Sequence, residues 1–290
     1  MRPCRRVLFV VLSALMSLGL GGAVGVSAAS AVPSRFTCTG TVTPFAPELI
    51  PPGTYALLSM PAGSLCYVAD ASVGGGAVTV NHGLTLGEAS LLPLTGGSLT
   101  VNGPLTVGDN AWFGDYSAPF GPSFPITVNG PLTVDSHGAA AVYAGAIAGP
   151  VVARDASGLQ IDGTSLTLPL LPISGPVSVI GGGGNNAVLD ELGFFGQNYL
   201  DLELDNISGP LSITGYDGAV VYLGGDHTGP MTFSDNTATP SPYWSPPLFF
   251  SHYMVINGPG TCADNTPNPI GRFNTVNGPV RGDQGTACFG

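Results

Sequence analysis

The run Tyr199 to Ile207 carries the densest chemistry in the chain, with Leu200, Leu202 and Leu204 alternating with Asp201, Glu203 and Asp205. At a period of two the leucines share one face of a strand and the three acids the other. Two neighbouring carboxylates can work as general acid and base on a glycosidic bond, and several can hold a divalent cation through oxygen. A solvated strand face would need neither. Asp190 and Glu191 make a second adjacent pair.

Acidic residues also recur at a constant offset from a repeated phrase, at Glu88, Asp109, Asp155 and Asp235, with Asp135 and Asp217 slightly out of step. Stacked on successive turns they would repel unless they cap turns or share a cation. Calcium is the ion such a set would take, with Asp109, Asp135 and Asp155 as its ligands; no other cofactor is expected. Gly181 to Leu189 resembles a single calcium nonapeptide, with Asn186 where that pattern wants Asp, and reads as a glycine-rich loop.

Aromatic residues gather in two inserts, one with Trp112, Phe113, Tyr116, Phe120 and Phe124, the other with Tyr243, Trp244, Phe249, Phe250 and Tyr253. Trp112, Tyr243 and Trp244 are candidates for stacking on sugar rings, although the favoured reading is that each insert folds a small core of its own against the solenoid. The histidines are dispersed, and no serine stands in a nucleophile elbow. No catalytic residue is assigned.

Arg2, Arg5 and Arg6 precede an apolar stretch that ends in small residues, the pattern of a cleaved secretory signal over residues 1–30. The remaining 31–290 holds Arg35, Arg154, Arg272 and Arg281, no lysine and all 18 acidic residues. Nucleic acid is therefore excluded as a partner, because phosphate binding depends on Lys and Arg. No membrane association is expected after signal cleavage. Cys38, Cys66, Cys262 and Cys288 allow three disulfide connectivities. Spacing favours Cys38 with Cys66 and Cys262 with Cys288, one bond clamping each end.

The elements that must position these groups follow from the phrase Val-Asn-Gly-Pro-Leu-Thr-Val, present at 101–107 and 128–134 with looser copies before and after. With 44 Gly, 27 Pro and 9% charged residues, short β-branched runs between turn residues predict an all-β chain. The apolar residues opening the strand after each phrase are Leu65, Leu84, Leu105, Leu132, Val151, Val177, Leu211, Met231, Gly260 and Val280. Their spacing has a floor of about 20 residues with additions, as a solenoid gives when loops enter at one corner. The expected fold is a single-stranded parallel β-helix of about ten coils, with an N-terminal cap coil at 31–70 and a C-terminal one at 256–290. Gly-Pro marks a corner, and the Asn before it would stack into a polar ladder.

Cys38-Thr-Gly-Thr-Val, Pro52-Gly-Thr-Tyr and Pro61-Ala-Gly-Ser-Leu-Cys66 resemble the entry coil of secreted bacterial β-helix proteins of unknown function. Ile256-Asn-Gly-Pro-Gly-Thr-Cys262, Asn274-Thr-Val-Asn-Gly and Gly285-Thr-Ala-Cys288 resemble their closing coil. The resemblance implies export and disulfide-capped ends, and it carries over no catalytic residue. The expected role is a noncatalytic structural or binding protein of the cell envelope or extracellular space, with extracellular polysaccharide or an envelope component as partner. A polysaccharide lyase or glycoside hydrolase on the same scaffold is the competing expectation.

Overall fold

The computed structural model describes residues 35–115, 124–163, 171–186, 199–227, 229–239 and 248–290. The fold is a parallel β-helix. An eleven-stranded sheet stacks strands from successive coils, from Arg35–Thr37 through Leu105–Val107 and Leu132–Val134 to Val280–Arg281. A sixteen-stranded sheet carries two further ladders. One runs through Leu91–Leu94, Trp112–Asp115, Ala139–Val142 and Gly158–Asp162, the other through Ser98–Val101, Ile126–Val128, Gly145–Ile147 and Leu171–Ile173. A typical coil thus has three straight runs and three corners. Tyr199–Ile207 and Val220–His227 are long enough to serve both ladders in one strand.

The apolar residues that open the strand after each phrase pair in one register: Leu84, Leu105, Leu132, Val151, Val177, Leu211, Met231, Gly260 and Val280. From Leu84 to Leu211 these side chains are at most 2% exposed and stack as rungs of the interior. Leu65 does not belong to that series. Leu58 is the partner of Leu84, whereas Leu65 bridges Leu91 in the neighbouring ladder. The Pro61-Ala-Gly turn imitates the phrase at a different corner.

The Gly-Pro corner is shaped by how closely coils approach. A Cβ on Gly130 would lie 2.5 Å from the Gly103 carbonyl oxygen, and one on Gly149 would lie 2.6 Å from the Gly130 carbonyl carbon. Only glycine fits that stack. Each proline lacks an N–H but keeps its carbonyl in use: Leu84, Leu105, Leu132 and Val151 donate their backbone N–H groups to Pro104, Pro131, Pro150 and Pro176. The expected asparagine ladder is present in segments. Asn102 Nδ2 donates to Asn81 Oδ1 at 3.2 Å, Asn129 Nδ2 to Asn102 Oδ1 at 2.8 Å, and Asn277 Nδ2 to Asn257 Oδ1 at 2.8 Å. Ala148 interrupts it.

A second corner holds two of the recurring acids, Asp155 and Asp235, while Glu88 and Asp109 stand one residue before it. Ala89, Asn110, His137, Asp155, Asp235 and Asp264 all adopt left-handed backbone with φ between 50° and 58°. Asn and Asp tolerate that conformation best after glycine, so Asp155, Asp235 and Asp264 are turn residues. Just beyond it lies a buried amide ladder that the sequence reading missed. Asn236 Nδ2 donates to Asn265 Oδ1 at 2.8 Å, and Asn265 Nδ2 donates to Gln284 Oε1 at 2.9 Å.

Loops enter at two corners rather than one. Chain is added after the ladder that holds Trp112–Asp115 and Gly158–Asp162, between Asp115 and Ile126 and between Asp162 and Leu171, and before it, between Ile180 and Tyr199 and between Ser234 and Leu248. The Gly-Pro corner stays constant throughout. Both ends are clamped as the spacing favoured: Cys38 bonds Cys66 with Cα atoms 5.9 Å apart, and Cys262 bonds Cys288 at 6.3 Å. The second bond ties a strand to the short closing helix Gly285–Phe289 rather than to an adjacent coil.

Candidate functional site

In-register stacking places Gly158–Asp162 against Tyr199–Glu203, so that Gln160 faces Asp201 and Asp162 faces Glu203. Neighbouring parallel strands lie about 4.8 Å apart. Asp162, Asp201 and Glu203 consequently each have a carboxylate oxygen within 4.8 Å of those of the other two. Leu159, Ile161, Leu200 and Leu202 point the other way and are at most 1% exposed in the main core. The alternation read from the sequence therefore holds as far as Leu202.

Asp205 departs from it. Between Leu202 and Asp205 the register with Val220–His227 shifts, Leu202 pairing with Leu223 and Asp205 with Gly225. The extra residue reverses the phase. Asp205 now stands opposite Leu171, two positions before the buried Ile207, and is fully buried with neither carboxylate oxygen hydrogen-bonded. Gly225 permits the irregularity, because a Cβ there would meet the Asp205 carbonyl oxygen at 2.3 Å. Asp205 is thus an interior group, not a third member of the outer acidic face.

The bulge also opens the outer face to His252. A Cβ placed on Gly224 would lie 3.1 Å from the His252 carbonyl oxygen and 3.8 Å from Glu203 Cα, so Gly224 is a bare rung between them. Across it His252 Nε2 contacts Glu203 Oε1. Arg272 is the ladder partner of His252 on the following coil and is exposed. On the other side, the Tyr199 hydroxyl hydrogen-bonds Asp201, and the Tyr143 hydroxyl donates to Gln160 Oε1.

Removing these acids from water disfavours their charged forms. Burial, then the charge of Glu203, pushes Asp162 up to about 6. Burial also holds Asp201 well above the ordinary carboxylate range, with Glu203 and Asp162 adding to the shift and the Tyr199 bond opposing it. Asp205 is raised by burial first and then by the charges of Asp162, Asp201 and Glu203. Tyr143 and Tyr199 are raised as well, mainly by burial and next by Asp201.

From this cluster a line of rings follows the outer face toward the C-terminal end. Tyr199 and Tyr222 have centroids 5.8 Å apart, Tyr222 and Phe250 6.0 Å, Phe250 and His252 5.0 Å, His252 and Tyr253 5.4 Å, and Tyr253 and Phe273 5.2 Å in a stacked pair. Tyr253 and Phe273 are 65% and 70% exposed, and both hold left-handed backbone with φ of 51° and 57°. Bulky residues rarely adopt that conformation. Elsewhere, an apolar crevice of about 10 Å³ under the closing helix, lined by Phe233, Phe249, Cys288 and Phe289, has room for about one water.

The other candidates read from sequence fare differently. Trp112 is 4% exposed, packed with Leu65, Leu91, Ala139, Ala141 and Tyr143 in a second apolar cluster. It is a core residue of that cluster rather than an open stacking platform, because the small side chains on the next coil leave it a bed. Tyr243 and Trp244 lie outside the described residues. Asp109 Oδ1 lies 3.3 Å from His137 Nδ1, Asp155 forms the left-handed corner, and among the described residues none of Asp109, Asp135 and Asp155 is in a group of three ligand atoms within 4.8 Å of one another. A second such group, Cys38, Glu48 and Cys66, has its sulfurs consumed by the disulfide.

Asp162, His252, Tyr222 and Phe273 are site residues that the sequence reading did not name. Asp162 had a signal, since Gly-Leu-Gln-Ile-Asp at 158–162 has the alternation of Tyr-Leu-Asp-Leu-Glu at 199–203. Comparison with protein-family models, curated proteins and solved structures finds no match.

Proposed function

We propose that the protein is a secreted, noncatalytic binding protein of the cell envelope or extracellular space that holds polysaccharide along the outer face of its second sheet. The observation that carries this reading is the exposed, stacked pair Tyr253 and Phe273, which continues through His252, Phe250 and Tyr222 to the acidic cluster. Rings in line along a rigid scaffold offer an extended apolar track edged by hydrogen-bonding groups, which suits a polymer of sugars. Retaining two exposed rings in strained backbone favours a role beyond packing. The basic and apolar leader, together with two disulfides, supports export to an oxidising compartment.

Calorimetric titration against a panel of soluble polysaccharides tests this reading. Binding should occur without release of reducing ends, and the double variant Tyr253→Ala, Phe273→Ala should weaken it about tenfold or more. Absence of binding across neutral, acidic and amino-sugar polymers would overturn it.

One observation favours a polysaccharide-active enzyme as the second reading. Asp162, pushed up to about 6 by burial and then by the charge of Glu203, faces Glu203 on the adjacent coil, and two neighbouring carboxyls can serve as acid and base at a glycosidic bond. Release of reducing or unsaturated ends, abolished by Glu203→Gln, would establish it in place of the binding role.

A further inference from the structure

We propose that Asp162, Asp201 and Glu203 form a binding site for a hard divalent cation of the calcium type. The three carboxylates come from two adjacent coils and converge on the outer face of the second sheet. Two oxygens that share one calcium at about 2.4 Å can be no more than about 4.8 Å apart. The ligand atoms of the triad meet that limit pairwise.

Proximity alone would not make a site, and the buried oxygens supply the independent observation. Asp201 is 7% exposed, and its Oδ1 is fully buried with no hydrogen-bond partner. Asp162 Oδ1 is in the same condition. A buried carboxylate oxygen without a donor is costly, and two of the three carboxylates of the triad carry one. Among the described residues, no arginine is ion-paired with any of the three.

The surrounding contacts orient the ligands. Tyr199 hydrogen-bonds Asp201 while leaving Oδ1 free, and His252 Nε2 engages Glu203 Oε1. Outer contacts of this kind fix ligand carboxylates in place. The all-oxygen set favours calcium. Magnesium would demand a tighter octahedron and keep most of its waters, and zinc would recruit the imidazole nitrogen that is already engaged on Glu203. This site is independent of the glycan reading, and its test uses no glycan.

The experiment takes the full chain, stripped of divalent ions with a chelator. Terbium, a luminescent stand-in for calcium, is titrated with excitation through tyrosine, since Tyr199 touches the triad and Tyr222 neighbours it. The expected result is saturable sensitised luminescence, displaced by calcium at concentrations on the order of millimolar or below. Asp162→Asn and Glu203→Gln should each weaken binding about tenfold or more with circular dichroism unchanged, while Asp109→Asn should leave it intact. Glu203, with a side chain 25% exposed, keeps the test usable where a buried substitution fails to fold. Absence of both luminescence and calcium-dependent thermal stabilisation would overturn the proposal, as would binding that survives Glu203→Gln.

Discussion

Asp162 and Glu203 are direct ladder partners on adjacent coils, two acids held side by side on the outer face of a parallel sheet. Like charges in that relation destabilise a sheet by about 0.2–1 kcal/mol. Asp162→Asn should therefore raise the melting temperature of the chelator-treated protein. With calcium added the order should reverse, because the wild-type chain gains an ion that the variant holds poorly. Paired melting curves with and without calcium read both effects.

Asp205 is an acid in the apolar interior, and its raised pKa fixes the sign of a pH dependence. A carboxyl whose folded pKa exceeds its unfolded value of about 3.9 contributes stability in full below that value and loses it as pH rises through the folded pKa. In chelator, stability should therefore decline from about pH 4 toward neutrality. Asp205→Asn, similar in size and unable to ionise, should flatten the decline and melt higher at pH 7. Denaturant titrations across that range measure it. An unchanged slope would show that Asp205 is not the group responsible.

The two amide ladders should differ in what they contribute. Asn102 bonds both neighbours but is exposed, so Asn102→Ala should cost no more than about 1 kcal/mol. Asn265 is 3% exposed, donates to Phe233 O and Gln284 Oε1, and accepts from Asn236. Asn265→Ala strands those partners in the interior and should cost about 3 kcal/mol or more. Denaturation midpoints of the two variants test the contrast.

Each disulfide closes a loop of 28 or 26 residues at one end of the solenoid, a length worth about 3–4 kcal/mol by chain entropy. In a stack where each coil contacts only its neighbours, that loss should appear first as local opening at the ends. Under reducing conditions limited proteolysis should cut within 38–66 and 262–288 before the central coils. Simultaneous cleavage along the whole chain would contradict end-first opening.

Relief of the left-handed backbone at Tyr253 should separate stability from binding. Tyr253→Gly removes a cost of about 1 kcal/mol or more at that φ. The variant should melt no lower than wild type while losing glycan affinity. A lower melting temperature with affinity retained would mark the ring as packing.

What was legible in the chain is what each coil repeats. Gly-Pro and its flanking Leu and Val appear in one phase because coils touch there, so register from Leu84 to Val280 could be read directly. Leu65 misled because Pro61-Ala-Gly turns the chain like the phrase but at another corner. The outward face of Asp201 and Glu203 followed from alternation, whereas the inward turn of Asp205 is set by Gly224 and Gly225 on a different strand. Trp112 looked available for sugar because its cover, Ala139 and Ala141, lies one coil away. His252 reaches Glu203 from beyond an insert, where spacing gives no guide.

The Gly-Pro corner makes the coil a detachable unit. Pro131 O receives the N–H of Leu105, and Pro150 O receives that of Leu132, so each proline ends one coil in the geometry with which the next begins. Removing Leu132 through Pro150 would bring Val151 directly after Pro131 and leave the neighbouring rungs with partners of the same kind. The length of the rod is therefore set by how many times one sentence is written, while whatever it holds is set by the two corners at which the sentence can be interrupted.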